Sequence, residues 1–267
     1  MKAYWALFRA RSRTLLQYRA AAAAGFATQV VFGLVNLCIL RAFYRYAGAS
    51  QPMTLSQAAS YIWLGQALLG MQPGWSMDSE TANAVRSGAV AYDLTRPLDM
   101  YAHWYVRALA LRIAPTLLKS VPMFLFASLL LPEGYALVWP PLPSLLAWMA
   151  ALAGALALSC SITLLMQATL FWTVAGDGVA RILPSIIFLL SGMVIPLPLF
   201  PDWAQPFLRI QPFYGLSGAV SMLFCQILPA REAGQVIALQ WGWTAAFVLG
   251  GRWLMGRGLR RLNVAGG

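Results

Sequence analysis

From Ser144 to Phe171 the chain runs without one charged side chain, and from Ala20 to Leu40 it does so again. A run of about 20 such residues, wound as a helix, matches the hydrocarbon thickness of a bilayer. Backbone in lipid must satisfy its own N–H and C=O groups, which selects helices for these runs. Composition agrees: 60% of the 267 residues are hydrophobic and only 10% are charged. A soluble domain carries about 25% charge, and a globule of this composition would lack the polar groups to cover its surface. The sequence therefore predicts an all-α integral membrane protein, with length for about five to seven spanning helices. Lys+Arg number 19 against 8 Asp+Glu. They sit beside apolar runs, so they orient a chain in a bilayer better than they bind nucleic acid.

Absences narrow the function. The one histidine, His103, excludes a two-histidine zinc motif and is expected on the surface. Cys38, Cys160 and Cys225 lie far apart in apolar stretches, as small buried hydrophobes do, so no disulfide framework and no metal site are expected. Neither Lys2 nor Lys119 follows a Gly-x-x-x-x-Gly loop, so the chain has no Walker-type nucleotide site. No acidic residue falls inside a span, and a membrane-embedded enzyme would need a polar catalytic cluster at one depth. A cleavable signal peptide is not expected, because the basic N-terminus is long and the run behind it is long enough to span.

The apolar runs place six spans: about Ala20 to Leu40, Ser56 to Gly74, Ile113 to Leu131, Ser144 to Phe171, Ile182 to Leu199 and Ala233 to Met255. Short loops hold Arg41 and Arg45, then Asp177 and Arg181. The run from Phe213 to Leu228 decides six against seven. Its 16 or so residues fall below the usual minimum near 17, and crossing would put the arginine-rich C-terminus outside, against the positive-inside bias. With six spans both termini are cytoplasmic, and 15 of the 19 basic residues lie inside.

Three segments are more than spans. Residues 1–19 interleave Lys2, Arg9, Arg11, Arg13 and Arg19 with Tyr4, Phe8, Leu15 and Tyr18. This is either a basic amphipathic helix on the inner leaflet, its face interrupted by Arg11, or an ordinary basic flank. Residues 75–112 are polar and cytoplasmic. Within them, Asp93 to Arg107 alternates charge with Leu94, Leu98, Tyr101, Trp104 and Tyr105, and Pro97 breaks or starts a helix. A short amphiphilic helix of this kind suits docking on a soluble motor, where a plain linker has little use for the aromatics. Residues 196–228 begin with Pro196, Pro198, Pro201, Trp203 and Pro212. The prolines stop the fifth span and force turns. The alternatives are a hairpin of half-helices dipping into the outer leaflet as an outer gate, tolerated only if buried or lining a wet cavity, or a surface loop.

The string Arg86-Ser-Gly-x-Val-x-Tyr-x-Leu-x-Arg-Pro-Leu-Asp99 resembles the cytoplasmic motif of a viologen-exporter-like branch of the type-2 ATP-binding-cassette permeases. The Pro196 to Pro212 segment is similar to that family's outer hairpin between helices 5 and 6. The resemblance implies a non-catalytic permease subunit in a bacterial inner membrane. A second permease chain, identical or related, would pair with it on an ATPase dimer that binds ATP and Mg. It also implies outward movement of a drug-like, amphipathic or cationic compound. Lipid, peptide and polysaccharide cargoes, or a structural role without transport, stay open because fold does not fix function.

On this reading ATPase coupling falls to Tyr92, Asp93, Arg96, Pro97, Asp99 and Arg107. Gln29, Asn36, Tyr61, Trp63 and Gln66 either face the substrate path, as polar groups avoid lipid, or hydrogen-bond helix to helix. Asp78 and Glu80 either attract a cationic cargo, together with aromatic faces, or offset nearby arginines.

Overall fold

In the computed structural model, which describes residues 2–46, 51–74, 78–95, 97–172 and 177–260, the described residues form helices and turns, with no strand among them. The helices are α1 (Lys2–Leu16), α2 (Arg19–Tyr46), α3 (Leu55–Leu68), α4 (Ser79–Arg86), α5 (Ala91–Leu94) and α6 (Met100–Leu129). They continue with α7 (Leu142–Thr169), α8 (Asp177–Leu190), α9 (Gln205–Ile210), α10 (Gly218–Phe224) and α11 (Ala233–Leu259). On length and composition α2, α6 and α7 are able to cross a membrane, and α11 runs 27 residues. The second and fifth expected spans are shorter helices, α3 and α8, of 14 residues each, about 21 Å at 1.5 Å per residue. A tight 3-10 turn, Leu69–Met71, extends α3.

Local chemistry sets the helix starts. Thr54 and Gln57 form a reciprocal capping box at α3, pairing two otherwise orphaned N–H groups. Asp99 caps α6 by accepting from the Ala102 N–H at 2.7 Å, and α6 then runs 30 residues through Pro115 and Pro122. The expected separate docking helix over Asp93 to Arg107 is thus divided. Residues 91–94 form the one turn of α5, and residues 100–107 are the first two turns of α6. The reason is the Asp99 cap, which joins those turns to the apolar run behind them.

Other expectations shift in the same way. Helix α2 carries Arg41 and Arg45 in its last turns, not in a loop, and α8 begins at Asp177. The side chains of Asp177 and Arg181 lie outside the described residues. The fifth run ends at Leu190, where the chain leaves through Gly192 at φ +79°, a conformation glycine adopts without penalty. His103 is buried, not on the surface. The 213–228 run yields a 3-10 turn, Pro212–Gly215, and the seven-residue α10, every residue of which is buried; α10 is about 10 Å long and too short to span.

The core gathers around α3, α7 and α10. Trp63 packs edge-on against Phe126 with ring centroids 5.6 Å apart and donates its indole N–H to the Tyr135 carbonyl at 3.1 Å. Its far edge fills the space that the missing side chain of Gly33 leaves, which brings α2 against α3. Phe224 of α10 packs edge-on against Trp148 of α7 at 5.2 Å. The buried Gln240 of α11 donates to the Ala151 carbonyl at 2.9 Å and the Gly215 carbonyl at 2.8 Å. That bond pair ties α7, α11 and the 212–215 turn together.

Candidate functional site

A groove of about 340 Å³ opens between α2, α3 and the chain following α8. Helix α2 contributes Asn36, Leu40 and Phe43; α3 contributes Tyr61, Gly65 and Gln66; and Met193 to Pro196, with Leu199, close it. No charged side chain is among the described residues that line it. Two amides and a phenol stand in an otherwise apolar wall, the composition of a small-molecule pocket, which spans about 300–1,000 Å³. Gly192 lets the chain pass so close to Tyr61 that a Cβ there would lie 2.6 Å from the phenol oxygen.

The groove continues along the 196–202 segment. A neighbouring cavity of about 430 Å³ shares Phe43 and Leu199 with it and is lined by Gln51, Pro52, Pro198, Pro201 and Asp202. A third, of about 380 Å³, shares Pro52, Pro198 and Asp202 and reaches Arg209 and Glu232. Asn36, Tyr61 and Gln66 therefore share one surface with Pro196, and Pro198 and Pro201 line its continuation. Trp63 and Gln29 do not join them: Trp63 is turned to Phe126 and Tyr135, and Gln29 is buried on the face of α2 that carries Gly33 and Leu37. Trp203 is exposed, and Pro212 starts a 3-10 turn beside α9 and α10.

Asp78 and Glu80 lie elsewhere, in a four-membered charge cluster. Arg107 of α6 donates from Nε to Asp78 Oδ2 and from Nη2 to Glu80 Oε2, both at 2.7 Å. Arg11 of α1 reaches Glu80 at 3.0 Å and Asp78 at 3.7 Å. The residue that interrupts the apolar face of α1 is thus the one that fastens it, on the same side as Tyr4, whose hydroxyl accepts from the Asp99 N–H at 3.1 Å. Tyr18 lies past the helix end and is exposed. Both carboxylates are matched by guanidinium groups of this chain, and neither lines the groove.

Burial by itself raises the Asp78 carboxyl, but the hydrogen bond and charge of Arg107, with Thr81 and Arg11, outweigh it and hold the group below its ordinary range. The Glu80 carboxyl is lowered first by the hydrogen bond from Arg11. A carboxylate depressed in the folded state adds stability above its unfolded pKa, about 3.9 for Asp, and loses that contribution as pH falls through the folded value. The clamp on α1 is therefore expected to hold unchanged from pH 7 to pH 5 and to weaken only below about pH 4. Protease accessibility of the α1–α2 junction across this range checks it.

On the same side, Tyr92 is 76% exposed and Leu94 51%, and Pro97 is also exposed. Asp93 turns inward and accepts from the Trp104 indole at 3.4 Å. Asp99 caps α6 and pairs with Arg252 of α11 at 3.2 Å. Trp75 and Arg96 lie outside the described residues. Of the expected coupling set, Tyr92, Pro97 and Asp99 are thus exposed, while Asp93 and Arg107 brace the segment from within.

A family model described as ABC-2 family transporter protein matches residues 25–266. The chain belongs to that family. No curated protein and no solved structure matches it. Membership makes this ABC-2 chain a membrane protein and a permease subunit working with a separate ABC ATPase; such subunits are typically non-catalytic. In the ABC-2 chain, Arg112 is a buried feature that sequence reasoning missed by counting it among cytoplasmic charges. It is wholly buried in α6 and donates to Ser159 of α7 at 2.7 Å and to Thr163. Ser159 in turn donates to the Met71 carbonyl. The signal available was an arginine flanked on both sides by apolar residues (residues 108–118) facing a serine and a threonine four apart on α7, a spacing that shares one helix face.

Proposed function

We propose that this chain is the permease subunit of an ATP-driven exporter that moves a small amphipathic compound outward across a bacterial inner membrane. In this reading α2, α3, α6, α7, α8 and α11 are six spans, both termini are cytoplasmic, and the 196–228 segment dips back as the outer gate. Two permease chains sit on an ATPase dimer, which engages the part of the sequence holding Tyr92, Leu94, Arg96 and Pro97. The observation that carries the reading is the uncharged groove at Asn36, Tyr61 and Gln66, continued by cavities along Pro198 and Pro201. Outward direction and a drug-like cargo rest on the resemblance to the viologen-exporter-like branch. A cationic amphiphile would meet the aromatic faces of Tyr61 and Phe43, with the amides taking its polar end.

Gly65 offers the cleanest test, because a Cβ there meets Met193 Cε at an ordinary 3.7 Å. Gly65→Ala is expected to transport like the wild type. Gly65→Leu is expected to fill the groove and stop ATP-driven dye transport in vesicles while the ATPase still copurifies. Wild-type transport by the leucine variant would remove the groove from the path.

A further inference from the structure

A second groove, of about 430 Å³, lies between α1, α6 and α11, away from the proposed transport route. Its wall is almost wholly apolar, with Ala102, Tyr105 and Val106 of α6 facing Val248 of α11. At one end stand Tyr4, Tyr101 and Arg252. The polar atoms at that end are only partly used. Tyr101 is 4% exposed, and its hydroxyl has no hydrogen-bond partner among the described residues. The Tyr4 oxygen accepts from the Asp99 N–H, which leaves its own O–H to donate. The Arg252 guanidinium lies over the Tyr101 ring at 5.2 Å and gives Nη2 to Asp99 Oδ1 at 3.2 Å. Its Nε and Nη1 carry no hydrogen bond to a described residue.

We propose that this groove holds an anionic glycerophospholipid, its phosphate against Arg252 and the Tyr4 hydroxyl and an acyl chain along Val106 and Val248. Three observations select that occupant. The groove joins a cationic, donor-rich end to an apolar body, which matches a lipid and not a free anion. It sits where the first turns of α6 meet the last turns of α11, beside the basic helix α1, at one end of the long helices. The charge is complementary, since Arg252 lines the groove and is held by Asp99 through Nη2 alone, and a basic residue near an anionic leaflet attracts it. A lipid seated there would bridge α1, α6 and α11 and set how firmly α1 lies against the bundle.

The test uses the full chain, delipidated in mild detergent and titrated with phosphatidylglycerol or phosphatidylcholine under native mass spectrometry. Phosphatidylglycerol is expected to bind the wild type more tightly, and Arg252→Gln to weaken it about fivefold, as one basic residue at an anionic surface does. Arg257→Gln removes the same charge outside the groove and is expected to leave that affinity unchanged. Ala102→Leu, which keeps every charge and fills the apolar body, is expected to weaken both lipids; it keeps the question answerable if Arg252→Gln folds poorly. Equal affinity for the two lipids, equal loss in both arginine variants, or no effect of Ala102→Leu would overturn the proposal. Displacement of the lipid by inorganic phosphate at millimolar concentration would also overturn it, in favour of a free-anion site.

Discussion

Asp78→Asn is expected to destabilise the chain by about 3 kcal/mol, the low end of the range for breaking a buried charge pair, because Arg107 retains Glu80. Asparagine caps a helix as well as aspartate does, so the variant keeps the start of α4 and removes only the charge. Asp78 is 5% exposed and shares Arg107 and Arg11 with Glu80, which is 62% exposed. The neighbouring Glu80→Gln therefore removes a solvent-screened partner, and its cost should stay below about 1 kcal/mol. Thermal unfolding of the three proteins in one detergent separates the two expectations. A larger loss from Glu80→Gln would mean that the cluster is not organised around the buried carboxylate. Because Arg11 is the only member on α1, Asp78→Asn should also expose the α1–α2 junction to protease before the bundle melts.

The second large effect concerns the motor. Tyr92 and Leu94 project from the turn of α5 at 76% and 51% exposure. A tyrosine anchor at the centre of an interface is worth about 2 kcal/mol or more, roughly thirtyfold in affinity, and Leu94 adds apolar contact beside it. Tyr92→Ala combined with Leu94→Ala is expected to leave folding intact, since little packing is removed, and to abolish ATP-driven transport by loss of the ATPase. Arg107→Gln behaves differently on the same geometry. It leaves the buried Asp78 carboxylate with Arg11 alone at 3.7 Å, so its first effect is on stability and only then on coupling. Titration of purified ATPase against the permease in detergent measures the contact directly.

Parts of this organisation are legible along the chain and parts are not, for physical reasons. Membrane class and helical form follow from uncharged runs such as Ser144 to Phe171, where lipid leaves the backbone one solution. The shortness of α10 was legible from the length of its run and the arginines beyond it. Its complete burial was not, because that depends on Trp148 and on α3, brought in from elsewhere in the sequence. Asn36, Tyr61 and Gln66 stand out as polar residues in apolar helices, and the fold gathers them; Trp63 stands out equally and is drawn away by Gly33 and Phe126. Arg11 looked like a flaw in an amphipathic face because its partner is 69 positions away. Arg112 looked solvated because nothing local announces Ser159 and Thr163. Charge pairing between distant segments is the information that a one-dimensional pattern lacks.

The most direct test of the central claim is coexpression of the tagged chain with its neighbouring reading frames, purification in mild detergent, and ATP hydrolysis and transport assays on the reconstituted complex. The expected result is a copurifying ATPase, two permease chains per ATPase dimer, and dye movement that requires ATP and stops in Gly65→Leu. A chain that purifies alone, or a complex that hydrolyses ATP with transport unchanged by Gly65→Leu, would contradict the account.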